Sequence, residues 1–149
     1  MAEEFNVASP LWGVRDPTLS RICRAAWERL PSEVKRTALK KLRRVSEISE
    51  WTEDTKNQLE CLGIKWSPAK FNPTFGEICF SKKDCEGLSD DVIVGAFVHE
   101  VAHAYQTQIT PSNIDAIEYA GDTLPCRWCF SAEVAAMILK RAELNPCIF

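Results

Sequence analysis

Between Val92 and Ala104 the chain is apolar almost without a break, through Val92, Ile93, Val94, Ala96, Phe97, Val98, Val101, Ala102 and Ala104. His99, Glu100 and His103 stand inside that run. A helix that is apolar nearly all round is buried on most sides, so other elements of the chain must enclose this one. Ser89-Asp90-Asp91 supplies a cap and two acidic residues at its start, where the helix dipole favours negative charge. The helix is expected to run from Val92 to about Gln108. It is too short, and too interrupted by polar groups, to span a bilayer.

The rest of the chain supplies the enclosure. It has 149 residues, 46% of them apolar and 26% charged, which predicts one domain over residues 1–149. Folding at this size buries roughly two-thirds of the unfolded chain's surface, so a core forms without staples. Composition excludes collagen, coiled coil, disorder and a disulfide knot, and it excludes a membrane protein. The formal net charge of −3 gives no general affinity for nucleic acid. Met1 to Asn6 carry acids where a signal peptide needs basic residues and then an apolar run, so a cytoplasmic location is expected. Nothing in the chain points to a particular oligomeric state.

Seven cysteines, an odd count at irregular spacing, predict free thiols. Cys126-Arg127-Trp128-Cys129 is a lone CxxC. It is half of a structural zinc site, which Cys79, Cys85 or Cys147 would have to complete, and no βαβ pattern surrounds it to suggest a redox pair. We read it as two small buried residues at the start of a helix.

Residues 1–15 read as an irregular arm. Asp16-Pro17 then gives an N-cap and a proline at the first helical position, and Ile22, Ala25, Ala26, Trp27 and Leu30 form that helix's apolar face. Pro31 separates it from a second helix capped by Ser32, with Val34, Ala38, Leu42 and Val45 at helical spacing. Lys35, Arg36, Lys40, Lys41, Arg43 and Arg44 give this second helix a basic outer face, which is either solvated or docks an acidic partner or nucleic acid. Leu62–Trp66 and Glu77–Ser81 read as strands. Thr110-Pro111-Ser112 ends the apolar helix and caps the next, from Asn113 to about Leu124, which Pro125 breaks; a last helix runs from near Cys129 to Glu143. Helices, a small sheet, then helices again predict an α+β domain with segregated parts.

His99-Glu100-Val101-Ala102-His103 is an HExxH. Residues four apart share a helix face, so both imidazoles can reach one metal ion, with Glu100 one step round beside the ion's open position. There a carboxylate can take a proton from a metal-bound water and deliver it to a leaving amine. Zinc suits such a site because it binds imidazole tightly and brings its water's pKa near neutral. On a surface helix the same motif is merely a polar face. Here the only two histidines of the chain lie on its most apolar helix, where burying them without a ligand is costly.

The third ligand is open. A metzincin pattern needs a glycine at 106 and a histidine at 109, where this chain has Gln106 and Ile109. Glu118, in Glu118-Tyr119-Ala120-Gly121-Asp122, has Asp122 one turn on, placed to accept a hydrogen bond from the far nitrogen of a ligating histidine. Ala120 and Gly121 allow close approach to the HExxH helix. Glu133 on the last helix is the alternative ligand, with Met137 where that aspartate would stand, and Asp115 is a third choice.

HEVAH followed by EYAGD resembles the gluzincins, zinc peptidases with an HExxH and a downstream glutamate helix of the ExxxD type. The compact layout is most similar to the minigluzincins and the bacterial ImmA/IrrE-type peptidases. The order of elements resembles theirs over residues 18–140, the motifs over 75–124. The resemblance implies a zincin-like domain that binds one zinc ion through His99, His103 and Glu118, with Glu100 as general base and acid. It implies a protein or peptide substrate, laid as an added strand on the edge strand Glu77–Ser81. The ImmA/IrrE likeness would point to a transcriptional repressor or similar regulatory protein as target. Gly121 departs from the more usual alanine, Pro125 shortens the glutamate helix, and the CxxC insert matches no pattern of the family. The family's second electrophile has no motif here, leaving Tyr105, Tyr119 and Arg127 as candidates. The expected function is therefore zinc-dependent endopeptidase, and its alternative is a catalytically silent zincin-like binding module with a structural zinc.

Overall fold

The computed structural model describes residues 9–106 and 114–145. In chain order the elements are β1 (Leu11–Gly13), α1 (Pro17–Arg29), α2 (Ser32–Ala38), β2 (Arg44–Ile48), α3 (Glu53–Cys61), β3 (Ala69–Asn72), β4 (Glu77–Ser81), α4 (Lys82–Cys85), α5 (Asp90–Tyr105), α6 (Ile114–Arg127) and α7 (Ser131–Leu144). The fold is α+β: a four-stranded mixed sheet in the order β1-β2-β4-β3, with helices enclosing α5. No helix among the described residues is long and apolar enough to cross a membrane.

α5 is the centre of the domain. Ser89 caps it, its hydroxyl accepting from Val92 N–H at 3.3 Å. Valine, isoleucine and glycine are poor helix formers, so burial rather than propensity holds this helix. Phe97, Val98, Val101 and Ala102 are fully buried, and the phenylalanine and each valine contribute roughly 1.5–3 kcal/mol. The Phe97 ring stacks on Phe80 of β4 with centroids 6.3 Å apart. α1, α2, α6, α7 and strands β3 and β4 pack around it. Gly95 makes the α7 crossing possible, since a Cβ there would run into the Glu133 carbonyl and lie 2.7 Å from Met137 Cβ.

The local signals for α1 hold. Asp16 Oδ1 accepts from Leu19 N–H at 3.0 Å, with Pro17 in the first turn. Elsewhere the structure departs from the expectations. The arm contains a strand, β1, tied to the body by Leu11 N–H donating to Arg43 O at 2.8 Å. Pro31, not Ser32, is the N-cap of α2, and α2 ends at Ala38. Val45 lies in β2, because Arg44–Ile48 pairs in parallel with both β1 and β4, and these ladders outweigh one more helical turn. The cations from Lys35 to Arg44 are thus spread over a helix, a turn and a strand rather than one helix face.

Leu62–Trp66 is not a strand. It follows α3, whose C-cap is Leu62, and Leu62 is 64% exposed. α3 itself buries only Leu59, so it carries no apolar period that could announce it, although Thr52 caps it. Glu77–Ser81 is a strand with the expected bounds, but β4 lies between β2 and β3 and is not the edge. The edge beside α5 is β3, antiparallel to β4. α6 runs through Pro125 to Arg127; the proline removes one intrahelical donor, and the helix ends two residues later. Thr110-Pro111-Ser112 lies outside the described residues.

Candidate metal centre

His99 and His103 project from one face of α5, 5% and 8% exposed. Their rings meet edge to face, and their Nε2 atoms are 3.1 Å apart. Glu118 reaches both from α6: Oε1 lies 3.0 Å from His99 Nε2 and Oε2 3.3 Å from His103 Nε2. Two ligands each ~2.0–2.1 Å from a tetrahedral zinc stand roughly 3.3 Å apart, so these three edges fit one face of such a site. The side chains of His99, Glu100 and His103 alone place their donor atoms within 4.8 Å of one another, and this buried group could hold a metal ion.

Two carboxylates therefore border the imidazoles, in different surroundings. Glu100 Oε1 accepts from Phe71 N–H of β3 at 2.8 Å. Burial raises its pKa, against the opposing charges of His103 and His99. Burial also works to raise the Glu118 pKa, but hydrogen bonds from His103 and His99 overcome it and hold that carboxylate below its ordinary range. Of the two, Glu118 is the one joined to both rings.

Asp122, one turn beyond Glu118, lies 2.9 Å from His99 Nδ1 through Oδ1. With Nδ1 donating to Asp122, Nε2, the nitrogen that faces Glu118 and His103, is the one that could turn a lone pair to a metal ion. Burial works to lower the His99 pKa, yet hydrogen bonds to Asp122 and Glu118 push it up to about 10. The surroundings thus favour positive charge at this point. A Cβ on Gly121 would stand 2.7 Å from His99 Cε1, so this position on α6 leaves no room for a side chain against the ring. His103 Nδ1 is buried with no hydrogen-bond partner among the described residues.

The other candidates fall elsewhere. Glu133 pairs with Arg29 at 2.8 Å and does not join the imidazoles. The Asp115 side chain lies outside what the structure describes. Tyr119 is 71% exposed, and Tyr105 packs edge-on against Trp128 with centroids 5.3 Å apart. Arg127 is exposed at the end of α6. Cys126 and Cys129 are exposed free thiols, not buried residues at a helix start: Cys126 lies in the last turn of α6, and Cys129 sits in the following turn at φ 72°.

Three residues enter that the sequence did not announce. Arg141 of α7 grips Asp122, with Nη2 2.7 Å from Oδ2 and Nη1 3.3 Å from Oδ1. Asn145 accepts from Lys65 and Trp66 N–H at 2.6 and 2.8 Å and donates to Trp66 O, fixing the chain that leads into β3. Phe71 contributes its backbone N–H to Glu100. On sequence alone a single arginine of α7, or an asparagine just beyond it, is indistinguishable from a solvated surface residue. A cavity of about 100 Å³ opens beside the cluster, lined by Trp66, Pro68, Ala69, Met137 and Arg141 together with His99, Glu100 and Glu118.

Comparison with protein-family models, with curated proteins and with solved structures finds no match.

Proposed function

We propose that the chain is a zinc-dependent peptidase of the gluzincin type, acting on a protein or peptide. The observation that carries this reading is the convergence of Glu118 on both imidazoles, with Asp122 one turn on bonded to the far nitrogen of His99. His99, His103 and Glu118 would hold the ion, which when bound would acidify a water and polarise the scissile carbonyl. Asp122 keeps His99 in the tautomer that offers Nε2. Glu100 has one oxygen engaged by Phe71 N–H, leaving the other to take a proton from the attacking water and return it to the departing amine. Bond cleavage then leaves Glu100 as it began. The cavity beside Ala69 offers room for one modest side chain of the substrate.

A second reading, a binding module with a structural zinc, draws support from β3. Ser81 N–H donates to Pro68 O, so the strand's alternation turns the N–H of Phe71 and the carbonyl of Ala69 to the free edge. Glu100 already takes the first, and Ser67 Oγ donates to the second at 3.2 Å. A peptide adding to this edge must displace those contacts.

Purified protein loaded with zinc, incubated with a complex peptide mixture and read by mass spectrometry for new termini, separates the two. Glu100→Gln should keep one zinc per chain and lose all cleavage. Equal cleavage by Glu100→Gln would refute the mechanism, and a zinc-loaded wild type that cuts nothing would favour the binding module.

A further inference from the structure

We infer that Arg141 is a positioning residue for the metal-binding cluster, acting through Asp122; the inference rests on the metal-site reading above. The contacts form one line across three helices. From α7, the Arg141 guanidinium holds both oxygens of Asp122 at 2.7 and 3.3 Å. From α6, Asp122 Oδ1 lies 2.9 Å from His99 Nδ1 on α5. The pair is mostly sheltered, with the Asp122 side chain 20% and the Arg141 side chain 34% exposed.

A planar fork that binds both carboxylate oxygens fixes the plane of the carboxylate as well as its distance. Asp122 so held presents Oδ1 to His99 in one orientation. Glu118 shares its helix face one turn earlier, so the same grip on α6 sets where the Glu118 carboxylate meets the two imidazoles.

Two effects of Arg141 on a bound cation oppose each other. Its charge repels the ion, whereas its grip orders the ligands. The charge faces Asp122 at 2.7 Å, so at the ligand atoms the ion pair largely cancels itself. Positioning wins, and the sign of a measured affinity change distinguishes the two effects.

The test is zinc affinity, by competition with a chromophoric chelator, for the full chain and for R141M, R141K, D122N and R141M/D122N. R141M should weaken zinc binding by about 10–100-fold, the range for lost partners of metal ligands. R141K, which keeps the charge without the fork, should recover part of that loss. In the D122N background, R141M should change affinity by less than about twofold, because both act on the same contact. The visible spectrum of the cobalt(II) protein should shift in R141M, which a purely structural role elsewhere in α7 would not produce. Unchanged or tighter zinc binding by R141M overturns the inference, as does an R141M effect that persists in full with D122N. Should R141M not fold, R141K decides: affinity about threefold weaker or more supports the role, and unchanged affinity overturns it. A wild type that binds no zinc overturns the metal reading as well, whereas a zinc-binding wild type matched by R141M overturns this inference alone.

Discussion

His99 and His103 lie buried on the central helix α5, while Cys126 lies exposed in the last turn of α6 and Cys129 in the turn that follows it. Both pairs have spacings at which one metal ion can be shared. The imidazoles are met from a second helix by Glu118 and Asp122. Around the thiols no such convergence occurs: Cys126 Sγ lies 3.4 Å from the Asp122 carbonyl of its own helix, and the Cys129 carbonyl accepts from Arg29. Among the described residues, His99, Glu100 and His103 form a group close enough to hold an ion, and Glu118 meets both imidazoles, whereas the thiols belong to no such group. Spacing along one element aims two donors, but a second element must bring the third. Burial then strengthens the attraction between donors and cation and penalises donors left unsatisfied.

The largest expected effect would break that comparison outright. His103→Ala and Glu118→Ala should each abolish stoichiometric zinc binding, because each removes a donor that other side chains cannot replace. Cys126→Ser/Cys129→Ser and Glu133→Ala should retain one zinc per chain; Glu133 forms only a partly exposed ion pair with Arg29, worth at most about 1 kcal/mol of stability. Metal content of the dialysed proteins checks this. Zinc retained by His103→Ala and lost from the cysteine variant would reverse the roles of the two motifs.

What could be read from the sequence follows the same division between local and non-local causes. α5 with its Ser89 cap and α1 with Asp16-Pro17 were legible because their signals lie within a turn of the residues they govern. β2 was not, since Ala38, Leu42 and Val45 satisfy a helical period and only pairing with β1 and β4 makes Val45 a strand residue. α3 escaped because it is polar and exposed, with Leu59 alone buried. In the site, His99, Glu100 and His103 share one helix, and Glu118 and Asp122 share another, so each set could be recognised by spacing. Glu118 and Glu133 looked alike as acids on partly apolar helices, and only packing separates the one against imidazoles from the one against Arg29. Arg141 reaches Asp122 from 19 residues away and Phe71 of β3 reaches Glu100 from 29, contacts that exist only once the elements have packed.

A smaller effect sharpens the contrast in backbone terms. Gly121→Ala places a methyl 2.7 Å from His99 Cε1 and 2.9 Å from both ring nitrogens. The ring is held by Asp122 and Glu118 and cannot yield freely, so the variant should lose about 1–3 kcal/mol of stability and bind zinc more weakly. At the cysteine turn the sign reverses. Cys129 has φ 72° and is exposed, so Cys129→Gly should relieve backbone strain and gain about 0.5–1 kcal/mol. Denaturant unfolding of the metal-free proteins compares the two through their midpoints; a Gly121→Ala midpoint at or above that of the wild type would mean that the α5–α6 contact is looser than the distances indicate.

The smallest effect concerns thiol chemistry. Alkylation proceeds through the thiolate, so a buried thiol with a raised pKa reacts slowly. Cys23 is fully buried, and burial with the nearby Cys85 raises its pKa far above the usual thiol range. Burial, aided by the Asp84 charge, pushes Cys85 up to about 12. Cys61, Cys126 and Cys129 are exposed. Iodoacetamide at pH 8, followed by peptide mapping, should therefore modify Cys61, Cys126 and Cys129 first and Cys23 last. Because the thiols are remote in role from the imidazoles, the modified protein should keep its zinc, and removing zinc should leave the labelling order as it was. Protection of Cys126 and Cys129 that ends when zinc is chelated would place the ion at the turn, and the burial of His99 and His103 would then need an explanation in packing alone.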